Sequence, residues 1–464
     1  MKRIVPCLLT AAVLLCLFGC RGRNMTETSS YFFSPAEYDT SYIAPFDSSS
    51  SADKLSPPSR LSSDYPMSSA EGKKISSSKL SSNCLQSESQ KTETSSSPQE
   101  TNLSYLPPAD TYYHGFLNLT PGKQQIYAIM VSAIENMRTG KIPLGVCELG
   151  DVAEVFIAVR GDHPEFFWLS SDYVLDTSSD GSVFITFQSD ASSTGKTRVS
   201  YNCTRAERDA MSEKLNTAVK NIVAAAPRNA SDYEIECWLN EWLCNHVTYN
   251  PDKALKLTSY AALVEGAAVC EGYARAMQLL LAEFSIPSLL VNGTANGQGH
   301  MWNMVKLSCE WYHLDVTWND LWDGNFTIHG YLNMNDSRVG QTHTIDPDFT
   351  ELTSDKILSG VSCNISLPAA SSDRYFYPAV NGFILNDDIE NSVLLMKQKL
   401  YCTISEGKSY CEFYIDSADT DIETKYDLLG CVNEVNYKST RKIKVTGTMR
   451  SDKTVVLLIK YEGE

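Results

Sequence analysis

A cysteine, a histidine and an aspartate, met in that order along a chain, are the groups a thiol needs to attack an amide: nucleophile, base and the residue that orients the base. Here they come as Val269-Cys270-Glu271-Gly272-Tyr273-Ala274, His300-Met301-Trp302-Asn303 and Trp311-Tyr312-His313-Leu314-Asp315-Val316-Thr317-Trp318. Cys270 follows the small residues Gly266-Ala267-Ala268 and precedes a run of strong helix formers that stops before Pro287, so it opens a helix. The positive end of a helix dipole favours the thiolate, and first-turn N–H groups without intrahelical partners can hold an oxyanion. Taken alone, Cys270 reads just as well as a buried structural thiol.

The elements around the other two residues decide between these readings. His300 to Leu307 and Glu310 to Thr317 read as two strands joined by the two-residue loop Ser308-Cys309. Pairing Leu307 with Glu310 puts Trp302 opposite Asp315, so His300 and Asp315 become diagonal neighbours on one face. A slip of one residue would separate them. His313 falls on the same face and is the substitute if Asp315 fails.

This constellation resembles the transglutaminase-like superfamily, whose core has a papain-like arrangement. The resemblance runs through Tyr260-Ala261-Ala262-Leu263-Val264-Glu265-Gly266, the helix start at Cys270, His300 to Asn303 and Trp311 to Asp320. Tyr331-Leu332-Asn333 and the later His343 are similar to the bacterial secreted branch. About residues 200–350 are covered, with looser similarity back to about 110. The resemblance implies an α+β fold whose core is a helix carrying Cys270 packed on an antiparallel sheet. It also implies Cys270 as nucleophile, His300 as base and Asp315 as orienting partner. Papain relatives place an oxyanion-hole glutamine shortly before the nucleophile, whereas this chain has Glu265 there. The candidates for oxyanion or substrate contact are therefore Tyr260, Trp242, Trp302 or a backbone amide. No calcium loop of the animal enzymes is visible. No cofactor or metal is expected: zinc accepts donors such as Cys270, His300 and Asp315 or His313, but their spacing matches no compact zinc motif.

The ends of the sequence suggest where this chemistry operates. Lys2 and Arg3 precede an apolar stretch from Ala11 to Phe18, too short to span as a membrane helix and consistent with an export signal over residues 1–20. Leu17-Phe18-Gly19-Cys20 resembles a bacterial lipobox, so Cys20 is the expected lipidation site and the protein an exported lipoprotein on the outer face of the cell membrane. Residues 21–108 form a tether, about one-third serine between Ser29 and Ser104. Such a stretch buries too little apolar surface to offset its ordering entropy. As a flexible coil it would span roughly 45–50 Å. The net charge of −17 argues against nucleic acid as a partner.

Flanking units are expected on both sides of the core at 201–350. An N-terminal α+β unit spans 109–200, with a helix from Thr120-Pro121 to Gly140, a helix near Asp151 to Val159, and strands at Phe166–Leu169 and Val183–Phe187. Helices over Arg205–Ala225 and from the capping box Ser231-Asp232-Tyr233-Glu234 lead into the core, and His246 reads as a helix-end residue. A C-terminal α+β accessory unit covers 351–464, with helices at Asp387–Ser405 and Asp421–Asn436 and strands at Ser409–Ile415, Lys442–Met449 and Thr454–Tyr461. Cys237 and Cys244 lie too far apart along a helix to bridge, while Cys402 and Cys411 could pair.

The functional expectation is a thiol enzyme that transfers the acyl group of a peptide or glutamine amide through a thioester. Water is expected ahead of an amine as acceptor, because an exported, exposed site favours hydrolysis unless water is excluded. The alternative is a non-catalytic module of the same fold that binds peptides or cell wall.

Overall fold

The computed structural model describes residues 108, 111–187, 200–321, 326–346, 366–419, 421–439, 442–449 and 453–461. The expected export signal, Cys20 and the serine-rich tether lie outside them. All the described residues fall in one compact unit. Among them, no helix is long and apolar enough to cross a membrane.

The chain begins with α1 (His114–Asn118) and α2 (Pro121–Glu135), the latter capped by Thr120 with Pro121 in the first turn. α2 stops short of Gly140, because Met137 takes a left-handed backbone and Gly140, with φ of 86°, opens strand β1 (Gly140–Val146) instead. After α3 (Leu149–Asp162), β2 (Val174–Thr177) and β3 (Ser182–Phe187) complete a three-stranded sheet in the order β1-β3-β2. Phe166–Leu169 is not the expected strand. It forms turns with a single bridge from Leu169 to Tyr201, and Phe166, Phe167 and Trp168 are buried in the core.

α4 (Arg205–Ala225) and α5 (Asp232–His246) both start with complete capping boxes, Thr204 with Glu207 and Ser231 with Glu234. The short α6 (Ser259–Leu263) precedes α7 (Cys270–Glu283), which leads into an antiparallel sheet. That sheet contains β4 (Ser288–Ala295), β5 (Gln298–Leu307), β6 (Glu310–Leu314), β7 (Leu332–Met334) and β8 (His343–Ile345), in the order β7-β6-β5-β4-β8. A one-turn helix, α8 (Val316–Asn319), follows β6. The expected strand to Thr317 therefore ends three residues early. The Asp315 carboxylate accepts a hydrogen bond from the Trp318 N–H at 3.1 Å and caps α8, turning the chain out of the sheet.

In the C-terminal part, α9 (Ile389–Glu406) and α10 (Leu428–Lys438) pack with a sheet of β9 (Ile384–Leu385), β10 (Tyr410–Ile415), β11 (Ile443–Met449) and β12 (Thr454–Tyr461). The single helix expected over Asp421–Asn436 is broken at Asp427, which takes φ of 48° between a short first piece and α10. Cys402 and Cys411 are both free thiols, as are Cys237 and Cys244.

Candidate active site

Cys270 is the first residue of α7 and is buried. What precedes it is held close by backbone alone: the Val269 N–H donates to the Lys256 carbonyl at 3.0 Å. Gly272 makes that approach possible, because a Cβ there would lie 2.6 Å from the Lys256 carbonyl oxygen and 2.7 Å from the Ala268 Cβ. The glycine that weakens the helix on propensity thus lets the loop over residues 256–258 seat against the first turn.

The connection after α7 sets the level at which its first residue meets the sheet. The Lys306 N–H bonds the Pro287 carbonyl, so the chain leaves α7 beside the far end of β5. It then returns along β4, with Ser288 opposite Val305 and Gly293 opposite His300. Fourteen helical residues rise roughly 21 Å, and the five strand steps from Ser288 to Gly293 cover roughly 17 Å. The start of α7 and His300 therefore lie at the same end of the sheet. Ala274 clusters with Leu290 and Met301, and its carbonyl accepts from the Asn303 amide at 3.0 Å. The helix packs on the odd-numbered face of β5, while His300 projects from the even-numbered face.

The hairpin register is the one the sequence predicts. Leu307 pairs with Glu310, and pairing continues to Asn303 opposite Leu314. Ser308 and Cys309 both take positive φ, the turn geometry of a two-residue loop. Asp315 follows directly, and its Oδ2 lies 2.6 Å from His300 Nε2. With Nε2 on the carboxylate, Nδ1 is the ring nitrogen left for proton exchange with a nucleophile. The Asp315 N–H is fixed in turn on the Tyr331 carbonyl at 3.0 Å.

A second imidazole meets the same carboxylate oxygen. His343 Nε2 lies 3.0 Å from Asp315 Oδ2, and its Nδ1 lies 2.8 Å from the Thr342 hydroxyl. Thr342 donating to Nδ1 leaves Nε2–H to donate to Asp315, a neutral tautomer. Burial holds His343 below the ordinary histidine value despite the neighbouring carboxylate. Burial alone would raise the Asp315 carboxyl, but the two histidines together hold it well below the usual range. Gly293 admits the strand that carries His343: a Cβ there would meet the Thr344 carbonyl at 2.1 Å and the Trp302 ring at 2.9 Å. The sequence marked His343 only as a recurring histidine and gave it no role. It lies 28 residues beyond Asp315 on an edge strand, a placement no local spacing predicts.

The remaining candidates fall in different places. His313, buried on the same face, accepts from the Trp302 indole N–H at 3.0 Å and reaches Asp336 at 2.9 Å, so it serves the wall behind the site rather than replacing Asp315. Trp302 is corrected as an oxyanion or substrate contact: it is 1% exposed and its one donor is taken by His313. Its ring stacks near His300 and edges onto His343, holding both in place. Tyr260 is buried against Phe167, and Trp242 stacks on His246 at the end of α5. His246 bonds the Trp242 carbonyl, as a helix-end residue does.

Behind Asp315 lies a layer of buried amides and one acid. Asn319 receives the Tyr331 N–H on its Oδ1 and donates to Asn240, and Asn333 donates to Glu236 at 2.7 Å. Burial pushes the Glu236 carboxyl up to about 8. These bonds give Tyr331-Leu332-Asn333 a physical task, that of fixing the strand behind Asp315. Among the described residues, His300, Asp315 and His343 form one cluster whose donor atoms lie within 4.8 Å of one another and could hold a metal ion. Two imidazoles and a carboxylate suit zinc chemically, but each is already paired through hydrogen bonds.

Residues 220–316 match the family model of the transglutaminase-like superfamily, a span that includes Cys270, His300 and Asp315 and ends before His343. No curated protein matches the chain. Among solved structures, it is similar to a TGase at 14% identity, over 32% of this chain and 44% of that one, with a TM-score of 0.22. It is also similar to a Cytophaga hutchinsonii protein provisionally described as a cysteine protease, at 13% identity over 32% and 61% of the two chains, with a TM-score of 0.21. A menin structure aligns at 13% identity over 61% and 52%, with a TM-score of 0.22. The chain thus spans less than two thirds of each of these structures. Its mixed helix and sheet architecture contains a transglutaminase-like core.

Proposed function

We propose that this protein is a membrane-anchored cysteine enzyme that opens peptide or glutamine amides through a thioester, with water as its principal acceptor. The observation that carries the reading is the buried His300–Asp315 pair at 2.6 Å, set at the end of the sheet where the helix of Cys270 begins. A carboxylate on Nε2 fixes the imidazole and stabilises its protonated form.

In this mechanism His300 Nδ1 takes the proton of Cys270, and the thiolate sulfur bonds to the amide carbonyl carbon. First-turn N–H groups of α7 receive the developing oxyanion. The tetrahedral intermediate collapses as the C–N bond breaks and His300 returns its proton to the leaving nitrogen. A water molecule, deprotonated by His300, then adds to the thioester carbon, and Cys270 leaves as the carboxylic acid forms. An amine in place of water would give a crosslink by the same steps. Anchoring rests on Lys2-Arg3, the apolar run to Phe18 and the lipobox-like Leu17-Phe18-Gly19-Cys20.

Incubation with peptide mixtures, with and without an added primary amine, followed by mass spectrometry, tests the chemistry. Gain of water is expected to exceed gain of amine, and Cys270→Ala should abolish both along with labelling by a thiol-directed acyl probe. Binding of peptides with no mass change in the wild type would establish the non-catalytic binding module instead.

A further inference from the structure

Beside the nucleophile helix lies a cavity of about 270 Å³ whose chemistry the mechanism does not use. It is near the lower end of ligand-site volumes, room for one or two side chains. Glu271, the residue after Cys270, forms part of its wall, and so do Lys256 and Thr258 of the loop that seats against the helix start. Phe166 and Phe167 contribute an aromatic side.

The charge of this cavity is the reverse of the chain's. Arg160, Arg275, Lys253 and Lys256 line it against a single lining carboxylate, Glu271. Three acids stand just outside: Glu265 pairs with Lys253 at 3.2 Å, Glu165 with His163 at 2.7 Å, and Asp172 acts on Arg160 at longer range. The excess of cations therefore belongs to the lining itself, in a protein of net charge −17. Moreover, both guanidiniums converge on one oxygen. Arg160 Nη2 lies 3.1 Å and Arg275 Nε 2.9 Å from Glu271 Oε1, with side chains only 11% and 9% exposed. Two buried guanidiniums sharing one carboxylate leave a desolvated positive charge, which a second carboxylate would offset.

His163, 3% exposed, also borders the cavity; its Nδ1 bonds Glu165 at 2.7 Å, and its Nε2 is closed off from solvent behind the Phe166 ring.

We infer that this cavity is a substrate subsite for a carboxylate, carried by an acidic side chain or a terminal carboxylate flanking the amide that Cys270 attacks. The inference deepens the proposed cysteine chemistry and rests on it for the word substrate; binding itself does not depend on turnover. The subsite would select peptides that present one anionic group beside the scissile bond, with Arg160 and Arg275 gripping its oxygens and Lys253 and Lys256 drawing it in.

Fluorescence anisotropy on the Cys270→Ala protein tests this without requiring catalysis. The probes are three labelled hexapeptide pools identical except that one holds a glutamate at each scanned position with an amidated end, one holds glutamine there, and one lacks acidic side chains but ends in a free carboxylate. The glutamate or the free-carboxylate pool is expected to bind at least about tenfold tighter than the glutamine pool, and whichever does identifies the source of the anion. Lys253→Gln with Lys256→Gln should shrink that preference several-fold, and an undiminished preference in a folded double variant would count against the subsite. Should the double variant misfold, the contrast in the Cys270→Ala protein decides alone. Equal binding of all three pools overturns the subsite, whatever the wild type's turnover. A carboxylate preference without turnover in the wild type would instead retain the subsite as a binding pocket and remove the enzymatic reading.

Discussion

Asp315 is the residue on which the site turns, since its carboxylate holds His300, a second imidazole and the start of a helix at once. Asp315→Asn keeps the shape but loses the charge that stabilises the imidazolium, and kcat is expected to fall by about 10²–10⁴-fold with KM nearly unchanged. His343 acts through Asp315, as a positioning residue. His343→Phe removes a hydrogen bond to a charged acceptor, worth about 1.5–3 kcal/mol or roughly 10–150-fold. His343→Gln keeps a side-chain donor and should recover much of that loss in kcat. A merely packing role predicts the opposite order, with the aromatic variant the more active. Cys270, His300 and Asp315 stood out as candidates in the sequence because each sits in a local context with its own signal: a helix start, a strand start and a hairpin of defined length. His343 was not, because its role depends on an edge strand that reaches the site only after a 28-residue excursion.

At the scale of elements, hydrophobic periodicity and caps located the long helices and the hairpin, and the register Leu307–Glu310 placed His300 and Asp315 together. Where local rules failed, a single residue had changed the backbone's course. Asp315 capped α8 and ended a strand, Asp427 broke a helix, and Gly140 began a strand rather than closing a helix. β1 and β2 escaped notice because Gly140, Pro143 and Gly145 interrupt the first, and the second is four residues long with no alternation of buried and exposed positions. Between elements, His329 joins α5 to β10. Its Nε2 lies 2.7 Å from Glu241, while Nδ1 and the backbone N–H both engage Glu412. Burial opposes its charge, but Glu412 and Glu241 prevail and push its pKa up to about 9. A folded value above the unfolded one of about 6.5 means the stabilisation is complete below pH 6.5 and is lost as pH rises through about 9. His329→Gln should therefore lower Tm most at pH 6 and flatten the fall in Tm between pH 6.5 and 9, as thermal melts across that range would record.

For the molecule as a whole, the segment before residue 200 is built into the site. Arg275 bonds the Arg160 carbonyl at 2.6 Å, Gln278 bonds that of Gly161 at 2.8 Å, and the Ser259 hydroxyl bonds that of Pro164 at 2.7 Å. One hydrophobic cluster runs from Phe116 through Val159 and Met277 to Leu332. A fragment of residues 201–350 would expose the α7 face that α3 covers. It is expected to aggregate or bind a hydrophobic dye, whereas residues 108–464 should unfold in a single cooperative transition by calorimetry. Composition could not reveal this, since shared burial between distant segments leaves no periodic trace in either.

The contact between His343 and Asp315 has a consequence for how such a scaffold diversifies. The pairing partner arrives on an outermost strand of three residues, beyond the span matched by the family model, so lengthening, shifting or losing that strand leaves the hairpin of His300 and Asp315 intact. The firmness with which Asp315 is held can then be tuned from the periphery, with Cys270 and His300 untouched.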